Sequence, residues 1–295
     1  MSTEKLMTTL IATAAGKVGK HIASNMIAVG DKPRLYVRDP VKIKGIFPEG
    51  KYEVAEGDLY DAEAIRTAME GVDAVFFPGL DSLAADLSYT DHIINAAVDA
   101  GAKRVVFLSA FMADSNSDSP FVKMMGTLED KVKASGLGYT ILGAEWFMDN
   151  FFGYVSGGEL NMPFGKGQNS FIATDDIGAV AAEVLKGNEH VNRSYILTGP
   201  ETLDHHQVVA MIAEVVGKPC SYNALTVEQF REKTEAGGWE SWMTELYVDI
   251  TKFMRDGMVA GTSSDVETIL GRPPMSLREF VTKYKDQFSV LCETS

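Results

Sequence analysis

Two stretches of this 295-residue chain combine residue types that could do chemistry. The first is Thr13-Ala14-Ala15-Gly16-Lys17-Val18-Gly19, set between an apolar run over residues 6–12 and a helical pattern. Glycines at a strand-to-helix turn let backbone N–H groups approach a pyrophosphate, and the helix N-terminus adds a favourable field. Gly16 and Gly19 suit that task. The competing reading is a tight turn with close helix–strand packing, but the position directly after a first strand favours the nucleotide. The second stretch is Glu145-Trp146-Phe147-Met148-Asp149-Asn150. A carboxyl group beside Trp146 and Phe147 is expected to keep its proton to higher pH and to act as a general acid or base. Glu145 and Asp149 would share one face if this piece were helical. The competing reading makes Trp146 a core residue and the acids solvated loop residues, Asp149 more so than Glu145.

Other candidates carry less chemistry. Phe111, Met112, Phe151, Phe152, Tyr154, Phe164 and Phe171 would furnish either an apolar substrate pocket or plain core. His205 and His206 are adjacent, diverge on a helix and read as surface rather than as ligands. No metal site is expected, because nothing has metal-ligand spacing. Cys220 and Cys292 are the only cysteines, too few and too far apart for a disulfide framework, which points to a reducing cytosol.

The elements that must carry these residues alternate between apolar runs and helical patterns. Strands are expected at residues 6–12, 34–37, 52–55, 73–77, 104–108, 139–142 and 194–197. Helices are expected at 16–30, after the capping Asp61, at 83–100, 121–135 and 175–185, and after an Asp204–Gln207 capping box. In the first helix Val18, Ile22, Met26 and Val29 form the apolar face. This is the α/β pattern of a Rossmann-type, doubly wound parallel sheet of at least six strands. Residues 1–150 form the dinucleotide-binding core. Residues 151–295 form a smaller, mostly helical lobe laid over the C-terminal edge of the sheet, with 175–200 returning to the core. A net charge of −14 argues against nucleic acid or an anionic membrane as partner. No run is long enough to span a bilayer, and the polar residues after position 15 argue against a signal peptide.

Several motifs recur in a fixed order: Val37-Arg38-Asp39-Pro40, Gly57-Asp58-Leu59, Gly71-Val72-Asp73-Ala74-Val75-Phe76, Gly101-Ala102-Lys103-Arg104-Val105-Val106 and Ser135-Gly136-Leu137-Gly138-Tyr139-Thr140. Asp175-Asp176-Ile177-Gly178, Leu197-Thr198-Gly199-Pro200 and Gly271-Arg272-Pro273-Pro274 follow. In order and spacing, over roughly residues 6–288, the chain resembles the NmrA-like family of atypical short-chain dehydrogenase/reductases. The resemblance implies a cofactor site made of Thr13, Ala15, Gly16, Lys17, Val18 and Gly19, with Arg38 on the 2′-phosphate of NADP. It further implies that Asp58 and Leu59 flank the adenine, that Pro78 and Gly79 border the ribose and nicotinamide, and that Ser109 lines the reaction cleft. A turn-capping role competes for Asp58.

The chain also departs from the family pattern. Thr13 stands where the family has the first glycine of the turn, and Ala15 where it has a threonine. No Tyr-x-x-x-Lys occurs, and the helical lysine of some branches is replaced by Met125, with Lys123 on a different face. Candidate catalytic groups are therefore Glu145, Ser109, Lys123 and Asp149. Three functions stay open. One is an NADP(H)-dependent reductase of a small apolar carbonyl, quinone or conjugated substrate, with NADP expected ahead of NAD. Another is a cyclase, isomerase or lyase that binds no dinucleotide. The third is a dinucleotide-sensing regulator that binds a protein partner. The oligomeric state is also open.

Overall fold

The computed structural model describes residues 7–80, 86–256 and 261–293. Its strands are β1 (Thr9–Ile11), β2 (Arg34–Val37), β3 (Glu53–Glu56), β4 (Ala74–Pro78) and β5 (Arg104–Ala110). They continue with β6 (Gly138–Ala144), β7 (Val155–Ser156), β8 (Glu159–Met162), β9 (Arg193–Leu197) and β10 (Ser221–Ala224). The chain divides into two compact units. The first takes the described residues of Met1–Ser117, Val122–Gly143 and Thr174–Ile196, and the second those of Asp118–Phe121, Ala144–Ala173 and Leu197–Ser295.

The first unit is built on a seven-stranded parallel sheet in the order β3-β2-β1-β4-β5-β6-β9. The central strand β4 has no exposed residue, as a strand covered by helices on both faces requires, and it pairs with β1 in the register Thr9↔Ala74. The order of strands reverses between β1 and β4. Ligands of open α/β sheets bind outside the carboxyl ends of the strands at such a reversal. At the sheet edge β3 carries Glu53 and Glu56, charges that discourage further strand pairing, and Arg34 of β2 ion-pairs with Glu53 at 3.0 Å.

The helices follow their punctuation. Asp61 caps Ala62–Ala68 by accepting from the N–H groups of Glu63 and Ala64, and Ile65, Ala68 and Met69 are buried. Helix Thr174–Val184 packs closely on helix Gly19–Ala28, since a Cβ at Gly178 would lie 2.3 Å from the Cβ of His21. The first helix begins at Gly19 rather than Gly16, because Gly16 N–H closes a turn onto Thr13 C=O at 2.9 Å. Val18, Ile22 and Met26 are buried as expected, but Val29 is exposed because the helix ends at Ala28. The parts of the expected elements at residue 6 and residue 83 lie outside the described residues; the helix in the second case is described over Ser88–Asp99.

The second unit is not only helical. It contains a small sheet in the order β10-β8-β7, with β10 parallel and β7 antiparallel to β8. Helix His205–Val216 starts with the expected capping box of Asp204 and Gln207 and stops at Gly217 in the left-handed conformation. Cys220 and Cys292, distant in sequence, come near each other here as free thiols, and burial with this proximity raises the pKa of Cys220. Among the described residues no helix is long and apolar enough to cross a membrane.

Candidate functional site

In the first unit a cleft of about 170 Å³ opens at the carboxyl ends of β1 and β2. Its lining includes Thr13, Ala15 and Gly16 from the turn, Tyr36, Val37 and Arg38 from the end of β2, and Lys42, Gly57 and Leu59. The volume is below the ~300–1,000 Å³ of complete small-molecule sites, so it suits one end of an extended ligand.

The turn owes its shape to two glycines. A Cβ at Gly19 would sit 2.0 Å from Thr13 O, so the helix reaches the strand only because no side chain intervenes. A Cβ at Gly16 would be 3.1 Å from the same oxygen. Thr13 needs no glycine: among the described non-glycine residues only Asn192 has a positive φ. The Thr13 side chain therefore borders the cleft without straining its own backbone. The helix that follows has no side-chain cap and no acid in its first turn, so its N-terminal end presents a positive field to an anion.

Arg38 and Lys42 supply the cations. Asp39 caps a short turn, Pro40–Ile43, by accepting from Val41 N–H at 2.9 Å, with Pro40 at the first position. That turn returns Lys42 to the cleft beside Arg38. Lys42 was missed from the sequence, although an Asp-Pro cap followed by one further turn is a legible signal for it. Tyr36, also missed, is buried and donates its hydroxyl to Asp58 C=O at 2.8 Å. Burial, with the nearby Asp61 and Asp58, pushes its pKa up to about 12. Gly57 makes room for this ring, since a Cβ there would meet the Tyr36 hydroxyl at 2.4 Å. Asp58 lies outside the cleft lining; its Oδ1 accepts from Tyr60 N–H at 2.9 Å, the turn-capping arrangement. Leu59 is buried and forms an apolar wall. Two cations, an uncapped helix start and an apolar wall together fit the phosphorylated adenosine end of NADP. Lys17, Val18 and Gly19 belong to the turn but not to the cleft lining.

Pro78 and Gly79 end β4 and are buried, with Gly79 N–H bonded to Leu108 C=O at 2.8 Å. A Cβ at Gly79 would meet Met125 Cε at 2.5 Å, so Met125 packs over the end of β4. Ser109, near the end of β5, is 5% exposed and donates to Glu129 Oε1 at 2.7 Å. Lys123 is exposed on helix Pro120–Ala134, away from the buried face that holds Met125.

Glu145 and Asp149 belong to the second unit. They share no helical face: Glu145 lies outside any helix, Phe147 is extended, and Asp149 lies in a short turn, Met148–Asn150. Neither is solvated. Asp149 is 5% and Glu145 6% exposed. One Glu145 oxygen accepts from Trp146 N–H, the Ser170 N–H also donates to the carboxylate, and Oε1 has no hydrogen-bond partner. Burial outweighs these bonds and pushes the pKa up to about 7. Phe151, Phe164 and Phe171 are core rather than pocket. They surround His205, which is fully buried instead of superficial because it opens a helix whose first turn faces inward. Its ring stacks on Phe164 at 4.2 Å, and burial lowers its pKa to about 3. His206 is the exposed member of the pair.

The sequence profile described as the NmrA-like family matches residues 5–280. An NAD(P)H azoreductase of Xenophilus azovorans is 28% identical, over 95% of this chain and 98% of its own. A (4-alkanoyl-5-oxo-2,5-dihydrofuran-3-yl)methyl phosphate reductase of Streptomyces griseus is 26% identical, over 95% and 99% respectively. The crystal structure of an NADPH-dependent quinone oxidoreductase from Escherichia coli complexed with NADPH superposes with a TM-score of 0.82 at 22% identity. That alignment covers 94% of this chain and 99% of the other.

Proposed function

The chain belongs to the NmrA-like family, and from that premise we propose that it is an NADP(H)-dependent oxidoreductase reducing a quinone or another small, conjugated, apolar substrate. The observation that carries the reading is the pair Arg38 and Lys42 beside an uncapped helix start. An NAD site uses a carboxylate at the end of β2 to hold the ribose diol. Here Asp39 also lines the cleft, but its Oδ1 is engaged with Val41 N–H, and Arg38 and Lys42 line the same cleft, where they would pair with a 2′-phosphate. The relatives' names (azoreductase, furanone reductase, quinone oxidoreductase) support conjugated acceptors as the substrate class.

When bound, the dinucleotide supplies a hydride. The residues of this chain would hold it: Gly16 and Gly19 would admit the pyrophosphate to the helix start, Arg38 and Lys42 would pair with the 2′-phosphate, and Leu59 would border the adenine. The acidic chain and its two free thiols support a cytosolic setting with a small-molecule partner. Calorimetric titration tests the proposal. NADPH is expected to bind more tightly than NADH and to be oxidised when a quinone is added. Arg38→Ala should weaken NADPH about tenfold, the low end for a charge-assisted bond at an exposed site, and leave NADH nearly unchanged. Equal losses for the two cofactors, or no binding of either, would overturn it.

A second reading rests on Glu145. A buried carboxyl titrating near neutrality suits proton transfer without a dinucleotide, as in an isomerase or lyase. Turnover in the complete absence of NADPH, abolished in Glu145→Gln, is the result that reading requires.

A further inference from the structure

In the second unit Gly158 joins two segments that are far apart in the sequence. Its N–H donates to Leu291 C=O at 3.0 Å, and its C=O accepts from Ser221 N–H at 2.9 Å. Its φ of +74° and its lack of a side chain permit this, because a Cβ there would lie 2.8 Å from Pro219 O and 3.6 Å from Cys292 O. A second tie runs from Lys218, whose Nζ bonds Ser289 C=O at 3.0 Å and Glu293 Oε1 at 2.9 Å. Cys220, leading into β10, and Cys292, closing helix Lys285–Leu291, therefore each lie between two residues tied to the other's segment.

Both are free thiols, Cys292 buried and Cys220 half-buried, and they come near each other between those ties. Segments pinned in this way bring two thiols together without the backbone movement that a wider separation would demand. Burial raises the pKa of both, that of Cys220 to about 12, while the Lys218 ammonium pulls Cys292 in the opposite direction. Cys292 is thus the easier of the two to ionise. Both rest as protonated thiols shielded from a bulky electrophile, so the oxidant that reaches them must be small.

We propose that Cys220 and Cys292 form a modification site, which hydrogen peroxide oxidises to a disulfide joining the C-terminal helix to β10. The Cys292 sulfur attacks one peroxide oxygen and breaks the O–O bond, giving a sulfenic acid and one water. The Cys220 sulfur then displaces the sulfenic hydroxyl, which leaves as a second water as the S–S bond forms. The two thiols give up two electrons and two protons, and the peroxide takes them all. The bond closes the chain from residue 220 to residue 292 and restricts the unfolded state, so the oxidised protein is the more stable form. Both cysteines belong to the second unit, and the inference is independent of the dinucleotide reading.

The test exposes the folded protein to hydrogen peroxide, denatures it with a maleimide present to count thiols, and maps its unreduced peptides by mass spectrometry. The count is expected to fall from two to none, with one peptide pair linked through Cys220 and Cys292 inside a single chain, and dithiothreitol should restore both thiols. Cys220→Ser and Cys292→Ser should each form no such link, and Cys220→Ser should stop at a sulfenic acid on Cys292 that dimedone traps. The oxidised wild type should unfold about 5 °C or more above the reduced protein, a gain absent from either variant. A count that stays at two, sulfinic acid in place of the link, a link between two chains, or a Tm no higher after oxidation overturns the proposal.

Discussion

Gly19→Ala is expected to remove dinucleotide binding and to destabilise the first unit, whereas Gly16→Ala, three residues earlier, is expected to be mild. The difference is steric. A methyl group at Gly19 would lie 2.0 Å from Thr13 O, 2.7 Å from Thr13 C and 2.9 Å from Ala14 Cα. All three atoms are main chain, between a buried β1 and a helix packed on Thr174–Val184, so none can step aside without moving the turn itself. Overpacking of this kind costs about 3 kcal/mol or more. It also displaces the helix N-terminus, whose N–H groups would hold the pyrophosphate, so NADPH affinity should fall with it. At Gly16 the nearest atom is 3.1 Å away and the neighbours can give by a few tenths of an ångström. Thermal unfolding and NADPH titration of both variants measure the contrast. A Gly19→Ala protein with wild-type Tm and affinity would show that the turn is not held as described.

Two buried groups of the second unit should make stability depend on pH in opposite senses, in overlapping windows on the acid side of neutrality. His205 has its folded pKa lowered from 6.5 to about 3, first by burial and then by the charge of His206. A depressed histidine pKa means the folded state prefers the neutral ring. Its contribution is complete above about pH 6.5 and declines as pH falls toward 3. At pH 5 the loss is ~2 kcal/mol, the free energy of about 1.5 pH units. Glu145 behaves in the opposite sense. Its folded pKa is raised from 4.5 to about 7, so the folded state prefers the protonated acid. Stability is retained below about pH 4.5 and lost as pH rises to 7, by on the order of 2–3 kcal/mol.

His205→Phe, which keeps a ring stacked on Phe164, should therefore raise Tm at pH 5 and change little at pH 8. Glu145→Gln keeps an oxygen for the N–H groups of Trp146 and Ser170 while removing the charge, and should raise Tm at pH 8 and change little at pH 5. Parallel shifts of either variant at both pH values would contradict the assignment.

The scaffold was legible in the order of residue types. Alternating apolar runs and helix punctuation fixed six strands to within a residue or two of their ends, because burial on both faces demands continuous apolar runs and helix ends demand caps. The Gly16/Gly19 turn was legible for the same reason, since its steric demand acts between neighbours close in the chain, whereas Arg38, which lines the cleft, came from the family resemblance. Val29 and the start of the first helix were misplaced because periodicity does not register where a turn ends. Which polar groups lose water, and whom they then meet, follows from the packing of distant segments. Ser109 acquired Glu129, Cys220 acquired Cys292, Glu145 and Asp149 became buried, and His205 turned inward onto Phe164. Each depends on contacts between segments far apart in sequence. Desolvation and hydrogen-bond partners, unlike helix caps or strand periods, are properties of the assembled environment rather than of residue type.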